Sequence, residues 1–198
     1  MKFKNIGIIG AGPNCVFTLD VIIKKILKNK RDNFKTKITI YEKSGNFGSG
    51  NVHSKKLYKN LLLNRVAGQL SLGSYPFCKF PKNLKSYEYD FLQWSKKNRI
   101  KYRYTDWPPR SMFGRSLEQK FKDLIFLFKK KTSVVIKLVN KKVLSVKHDN
   151  DKLILSLGDK KKIAHDHVLF LTGNTYNKPS QDTFHYKMIR LYKNKKVN

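Results

Sequence analysis

The hexapeptide Gly10-Ala11-Gly12-Pro13-Asn14-Cys15 constrains the fold more than any other run, because it separates two segments of different periodicity. Residues 3–9 (FKNIGII) are a short apolar run of the buried-strand kind. Residues 13–29 place Val16, Phe17, Val21, Ile22, Ile26 and Leu27 at helical spacing. The order is strand, tight turn, helix. Gly10 permits the turn, and Pro13 suits a first helical turn, where its missing N–H costs nothing. Gly12 has no Cβ, so a pyrophosphate can approach the backbone there. The amides around Asn14 and the helix dipole would then face its charge. Cys15 stands where the G-x-G-x-x-G pattern has a third glycine. For the hexapeptide alone, an ordinary strand-to-helix turn is the competing reading.

The next strand bears on that choice. A polar loop from Asn29 to Lys35 leads into Lys37-Ile38-Thr39-Ile40-Tyr41-Glu42, a β-rich run. One βαβ unit results, with parallel strands and a right-handed crossover. Glu42 falls at the tip of the second strand beside the glycine loop, where a carboxylate accepts hydrogen bonds from ribose hydroxyls. Lys43 follows it and is assigned to the same site. The interval from Gly12 exceeds the usual ~20 residues, and the polar insertion near 29–36 accounts for the excess.

A chain of 198 residues can bury one core of common domain size, with room for a small inserted region. Its 40% hydrophobic and 13% aromatic content argue against wholesale disorder. A formal net charge of +30, from 43 Lys and Arg against 13 Asp and Glu, has two readings. One is a polyanion-binding surface, including nucleic acid; the other is a compositional bias spread over solvated faces. The even scatter of lysines favours the second. Two cysteines, Cys15 and Cys78, provide no disulfide framework and point to a reducing compartment, the cytoplasm. The Met1 segment is not a secretory signal, because Gly10, Gly12 and Pro13 interrupt any apolar stretch. No run approaches the ~18 apolar residues of a membrane span.

Residues 44–80, rich in Gly, Asn and Ser, are expected to be loops with short elements. Residues 86–99 and 114–130 read as helices, the second opened by a capping box of Ser116 and Gln119. The stiff loop Trp107-Pro108-Pro109-Arg110 lies between them. Residues 133–157 alternate in a strand pattern broken at Asp149-Asn150-Asp151, which predicts a β-hairpin or meander. A last strand runs from Asp166 to Leu171, and beyond Tyr176 the chain becomes a basic tail. The fold class is therefore α/β: a Rossmann-like domain over 1–175 with a parallel sheet, an inserted helical and loop region at about 44–130, a hairpin or meander, and a tail over 176–198. His165 and His167 lie two apart and can share a strand face, but no third ligand at metal spacing accompanies them, so no metal is assigned.

Further segments extend the pattern. They are Gly45-Asn46-Phe47-Gly48-Ser49-Gly50; Leu62-Leu63-Asn64-Arg65-Val66-Ala67-Gly68-Gln69-Leu70-Ser71; Pro109-Arg110-Ser111-Met112-Phe113-Gly114-Arg115-Ser116-Leu117; and Asp166-His167-Val168-Leu169-Phe170-Leu171-Thr172-Gly173-Asn174. In this order the chain resembles the FAD/NAD(P)-binding proteins related to flavin-dependent N-hydroxylating monooxygenases, over roughly residues 5–175. Ser116 replaces an aromatic residue of the family's segment.

The resemblance implies FAD as cofactor. Gly48 and Gly50 would let backbone run close to it, and Asn64 would offer an amide to the flavin or its ribityl chain. Arg110 has two readings, a pyrophosphate or substrate-anion contact and a structural cap. Thr172 and Gly173 would end the last strand near the pyrophosphate. No catalytic residue is identified. In that family a second Rossmann-type domain binds NADPH, for which this length leaves no room. Three explanations stand: a separate NADPH-domain or reductase partner, a reduced protein that only binds flavin, and a degraded remnant. The alternative class is a basic polyanion-binding protein on a nucleotide-binding scaffold.

Overall fold

The computed structural model describes residues 4–29, 35–74 and 78–173. Strand β1 (Lys4–Ile9) leads through the glycine turn into helix α1 (Pro13–Asn29), and β2 (Thr36–Tyr41) returns parallel to β1. Register pairs Gly7 with Thr39 and Ile9 with Tyr41, so both strands end level with the turn. Strand β3 (Val135–Val139) adds in parallel to β2. The last described strand, β7 (His167–Phe170), lies parallel on the other side of β1. The order β3-β2-β1-β7 puts β1 and its glycine turn at the centre of the sheet. This is the α/β parallel-sheet architecture expected from the sequence.

Two helices, α1 and α3 (Arg110–Lys131), pack together on one face of this sheet. Cys15, Val16, Leu19 and Ile23 of α1 are fully buried, and Phe113, Leu117, Phe121, Leu124 and Phe128 line the inner stripe of α3. Their spacing of three and four residues is what a helix needs to keep one face inward. Each such side chain contributes about 1.5–3 kcal/mol on burial. The opposite face is covered by a meander of β4 (Val143–Asp149), β5 (Lys152–Leu157) and β6 (Lys162–His165), through Tyr41, Leu155 and Leu157. The β4–β5 turn holds Asn150 at φ 48°, a left-handed conformation that Asn tolerates. Among the described residues no helix is long and apolar enough to cross a membrane.

Several boundaries differ from expectation. Helix α2 is Phe91–Lys97, not 86–99, because Asp90 and Gln93 form a reciprocal capping box with bonds of 2.8 and 2.9 Å. The chain before it is a 3-10 turn, Lys82–Tyr87, held where the Lys120 ammonium donates to the Tyr87 carbonyl at 2.5 Å. Helix α3 starts at Arg110, one turn before residue 114, behind the fixed backbone of Pro109. Ser116 therefore caps nothing: its buried hydroxyl donates to the Phe113 carbonyl one turn back. Within residues 133–157, β4 and β5 form the expected hairpin around Asn150, whereas β3 joins the parallel sheet.

The run ending in Asp166–Leu171 hides a strand change. Asp166 separates β6 from β7, and its carboxylate accepts from the Asn5 amide at 2.6 Å and from Lys152. His165 and His167 consequently lie on different strands. His165 is buried against the Tyr41 hydroxyl at 2.8 Å, whereas His167 is exposed. The expected tail beyond Tyr176, Asn174, Phe3 and the loop centre at 30–34 lie outside the described residues.

Candidate functional site

Gly10 is glycine for the fold's sake. Its φ is +97°, and a Cβ there would sit 2.5 Å from the Leu171 carbonyl oxygen and 3.1 Å from Thr172 Cα. The returning strand therefore closes against the turn, with the Thr172 backbone beside Gly10. Gly12 differs: a Cβ there would meet only Gly50 Cα, at 3.8 Å. Space is open over its backbone. The Gly12 carbonyl accepts from the Cys15 and Val16 amides at 2.9 and 3.3 Å, and Pro13 has no N–H. The Gly12 and Asn14 amides have no acceptor among the described residues. These two donors sit at the positive end of a 17-residue helix, the arrangement that binds phosphate oxygens.

Glu42 is buried, and its carboxylate is already engaged. Oε2 accepts from the Ala11 amide at 3.0 Å, and Oε1 accepts from the Ser44 amide at 3.0 Å and the Ser44 hydroxyl at 2.8 Å. A carboxylate offers about four acceptor sites, so one remains for an outside donor. Glu42 thus tethers the glycine loop to the end of β2. Its neighbour Lys43 is exposed and has no ion-pair partner among the described residues.

Cys15, buried beneath the loop, has its thiol pKa pushed up to about 12 by burial and by the Glu42 carboxylate. It is packing, not a reactive thiol.

The segment after β2 folds over the loop. The Gly48 amide donates to the Ala11 carbonyl at 2.7 Å, and a Cβ on Gly50 would lie 3.1 Å from Gly12 Cα. Gly48, at φ +95°, is jammed against α3: a Cβ would fall 2.8 Å from the Leu117 carbonyl and 2.9 Å from Glu118 Cα. Helix packing alone requires glycine there. Gly173, at φ +71°, ends the described chain with open space around it.

Asn64 and Arg110 are brought together in a cleft of about 290 Å³, with Phe17, His53, Arg65, Gln69 and Phe113 among its walls. Backbone bonds from Arg110 N to Leu61 O (2.8 Å) and from Leu63 N to Pro108 O (3.0 Å) join the two segments. Phe17 places this cleft against α1, just beyond the phosphate-facing turn. Burial, then the Arg110 charge, lowers the His53 pKa below the ordinary imidazole value. A second hollow of about 470 Å³, between α2 and α3, shares no residue with this site. Among the described residues no group of three or more His, Cys, Asp or Glu is placed to hold a metal.

Sequence reasoning missed a buried charge cluster behind the site. Asp20 pairs with Lys24 at 2.7 Å and Lys120 at 3.2 Å, all three at most 1% exposed, and accepts from the Ser74 amide and hydroxyl at 2.8 and 2.7 Å. It latches the 71–74 turn onto α1 and α3. The i, i+4 spacing of Asp20 and Lys24, within an apolar helix stripe, was the available signal.

Bare backbone at a helix start, an acidic residue ending the second strand and a central parallel sheet define a dinucleotide-binding class of fold. The family model described as FAD-NAD(P)-binding matches residues 7–175, and the chain belongs to that family. The membership supports FAD as cofactor, in agreement with the segments quoted above. No curated protein sequence matches the chain. Among solved structures, the flavin-containing monooxygenase from Stenotrophomonas maltophilia is similar over 90% of this chain and 42% of its own, with 16% identity and a TM-score of 0.50. The bacillithiol disulfide reductase from Staphylococcus aureus is similar over 92% and 43%, with 17% identity and a TM-score of 0.46. Such identities bear on fold alone. The chain spans less than half the length of these structures.

Proposed function

We propose that this protein holds FAD with its pyrophosphate on the Gly12 and Asn14 amides, and serves as the flavin-carrying part of an oxidoreductase. The observation that carries the reading is the pairing of two unengaged amides with open space over Gly12, at the N-terminus of α1. Gly10 and Pro13 shape the turn, Gly48 and Gly50 bring the covering segment down on it, and Glu42 holds it while keeping one acceptor for the adenosine ribose. Lys43, exposed beside Glu42, adds positive potential for the phosphates. Asn64 and Arg110 line the cleft next to the turn, where the flavin end would lie, and Thr172 with Gly173 closes the far side. Bound FAD supplies the electron-accepting chemistry; the protein's part is to bind, orient and shield it.

On this reading the domain runs over 1–175 with its insert at about 44–130. Electrons arrive from a reductase partner or a diffusing reductant, and the reaction class is that of monooxygenases or reductases. Thermal unfolding with and without added FAD tests the binding. At 100 times its dissociation constant, FAD stabilises by about 2.7 kcal/mol. An unchanged midpoint at saturating FAD would remove the proposal.

A further inference from the structure

Lysines that are evenly scattered in the sequence are gathered by the fold at one end of the meander. The β3–β4 link ends in Lys141 and Lys142, the β5–β6 turn carries Lys160 and Lys161, and Lys162 opens β6. Backbone bonds from Gly158 N to Lys142 O (2.9 Å) and from Leu157 N to Lys161 O (2.8 Å) tie the two segments into one tip. All five lysines are exposed, and the carboxylate at the tip, Asp159, lies 3.7 Å from Lys141. Lys142, Lys160, Lys161 and Lys162 have no ion-pair partner among the described residues. The other acids of the meander, Asp149 and Asp151, stand at its opposite end, around the β4–β5 turn.

Two further features point outward from this tip. Lys160 stands at φ +65°, which costs a non-glycine residue about 1–2 kcal/mol, whereas the β4–β5 turn puts the tolerant Asn150 in that conformation. Its side chain is exposed and gives the fold no packing in return, and such an outlier points to function. Val146, Leu155, Leu157 and Ile163 pack inward, so strand alternation turns Ser145, Lys147, Ser156 and Lys162 to the outer face. Ser145 pairs with Ser156, and Ser156 with Lys162, in one row across the three strands. Ammonium groups with hydroxyls beside them are donors for phosphate oxygens. From Lys141 to His165 the sequence has no Phe, Tyr or Trp, so the bases of a single strand find no ring to stack on. A bilayer would need apolar insertion, and Leu144, 59% exposed, is the one large exposed hydrophobic side chain on these strands. One leucine buries far less than an acyl chain, which is itself only a marginal anchor. A duplex needs neither rings nor insertion, since its phosphates are met by charge and hydroxyls alone.

We propose that this end of the meander, Lys142, Lys160, Lys161 and Lys162 with Ser145 and Ser156, docks the sugar-phosphate backbone of a nucleic-acid duplex. The contact reads no base sequence. It is independent of the FAD reading, because none of these residues belongs to the glycine-loop site.

The experiment is fluorescence anisotropy of a labelled DNA duplex of mixed sequence, titrated with the full chain at a series of salt concentrations. Lys160→Asn combined with Lys162→Gln is compared with Lys129→Gln combined with Lys131→Gln, which removes the same charge from the exposed end of α3. Each lost phosphate contact lowers the slope of log affinity against log salt by about 0.9, so the tip pair should lower it by about 2. The α3 pair should keep the parent's slope. Thermal midpoints should match the parent in both, and Lys142→Gln with Lys161→Gln repeats the test should the first tip pair melt early. Equal loss of slope in the tip and α3 pairs would overturn the proposal by assigning the binding to the charge of the whole chain. Absence of duplex binding to the parent at about 100 μM in physiological salt would do the same. Phosphatidylserine vesicles that displace the duplex from the parent, through a binding that Leu144→Ser abolishes, would also overturn it and assign the tip to a membrane surface.

Discussion

Replacing Gly12 and Gly10 in parallel separates a ligand role from a folding role within one loop. At Gly12 a Cβ meets nothing closer than 3.8 Å and the backbone is not left-handed, so Gly12→Val leaves the apo fold within about 1 kcal/mol of the parent. The branched side chain then occupies the space over the unengaged amides, and the FAD-dependent gain of about 2.7 kcal/mol at 100 Kd disappears. For a chain of this size 1 kcal/mol corresponds to about 2–4 °C, so the lost Tm shift is about 5–11 °C. Gly10→Ala behaves in the opposite sense. A positive φ costs about 1–2 kcal/mol, and the 2.5 Å approach to the Leu171 carbonyl adds an overpacking cost of about 1–3 kcal/mol. Its apo Tm should fall by about 4–20 °C. Differential scanning fluorimetry of both variants, with and without FAD, reads all four quantities. A Gly12→Val protein that keeps the full FAD shift would show that no ligand phosphate lies over Gly12.

Other consequences concern the surroundings of the loop. Glu42→Gln keeps one acceptor but turns an amide NH2 toward the Ala11 or Ser44 donors, which should cost about 1–3 kcal/mol in thermal melts. It should weaken FAD binding less than Gly12→Val, as a titration by flavin fluorescence will show. Asp20→Asn leaves Lys120 buried without its paired charge and Lys24 with Glu88 alone, and should destabilise by about 3–5 kcal/mol. Burial alone would raise the Asp20 pKa, but the Lys120 charge and the bonds from Lys24 and Ser74 outweigh it and hold the value below 3.8. The stability Asp20 contributes is thus complete above pH 4 and lost as pH falls through the lowered folded value. The Asn variant should lack that part of the acid slope in urea titrations. Alkylation near pH 8 should label Cys78 in the native protein and reach Cys15 only after unfolding, because Cys15 is fully buried and its thiol titrates at about 12. Equal labelling by mass spectrometry would contradict the packing around the loop.

The parts legible in the sequence are those set by local chemistry. A bare-backbone turn between a strand run and a helical stripe announced β1, the loop and α1, and the β-rich run ending in Glu42 announced β2. What escaped depends on distant partners. Asp20 and Lys24 form a buried cluster only because Lys120 and Ser74, far along the chain, close over them. Strand β3 reads like a hairpin arm because it is β-rich, and only its pairing with β2 makes it a parallel edge. Ser116 looked like a cap because the helix signal of Pro109 four residues before Phe113 went unused. Gly48 was assigned to a cofactor, yet its neighbours show a second reason for glycine in the backbone of α3.

The account stands on the contents of the freshly purified protein. Heat-released material, examined by absorption spectrum and mass, should be FAD at close to one molecule per chain, and stripped protein should take FAD back to the same level. Protein that releases no flavin and binds none on titration, while melting cooperatively as a folded domain, would contradict the claim that these amides hold a dinucleotide.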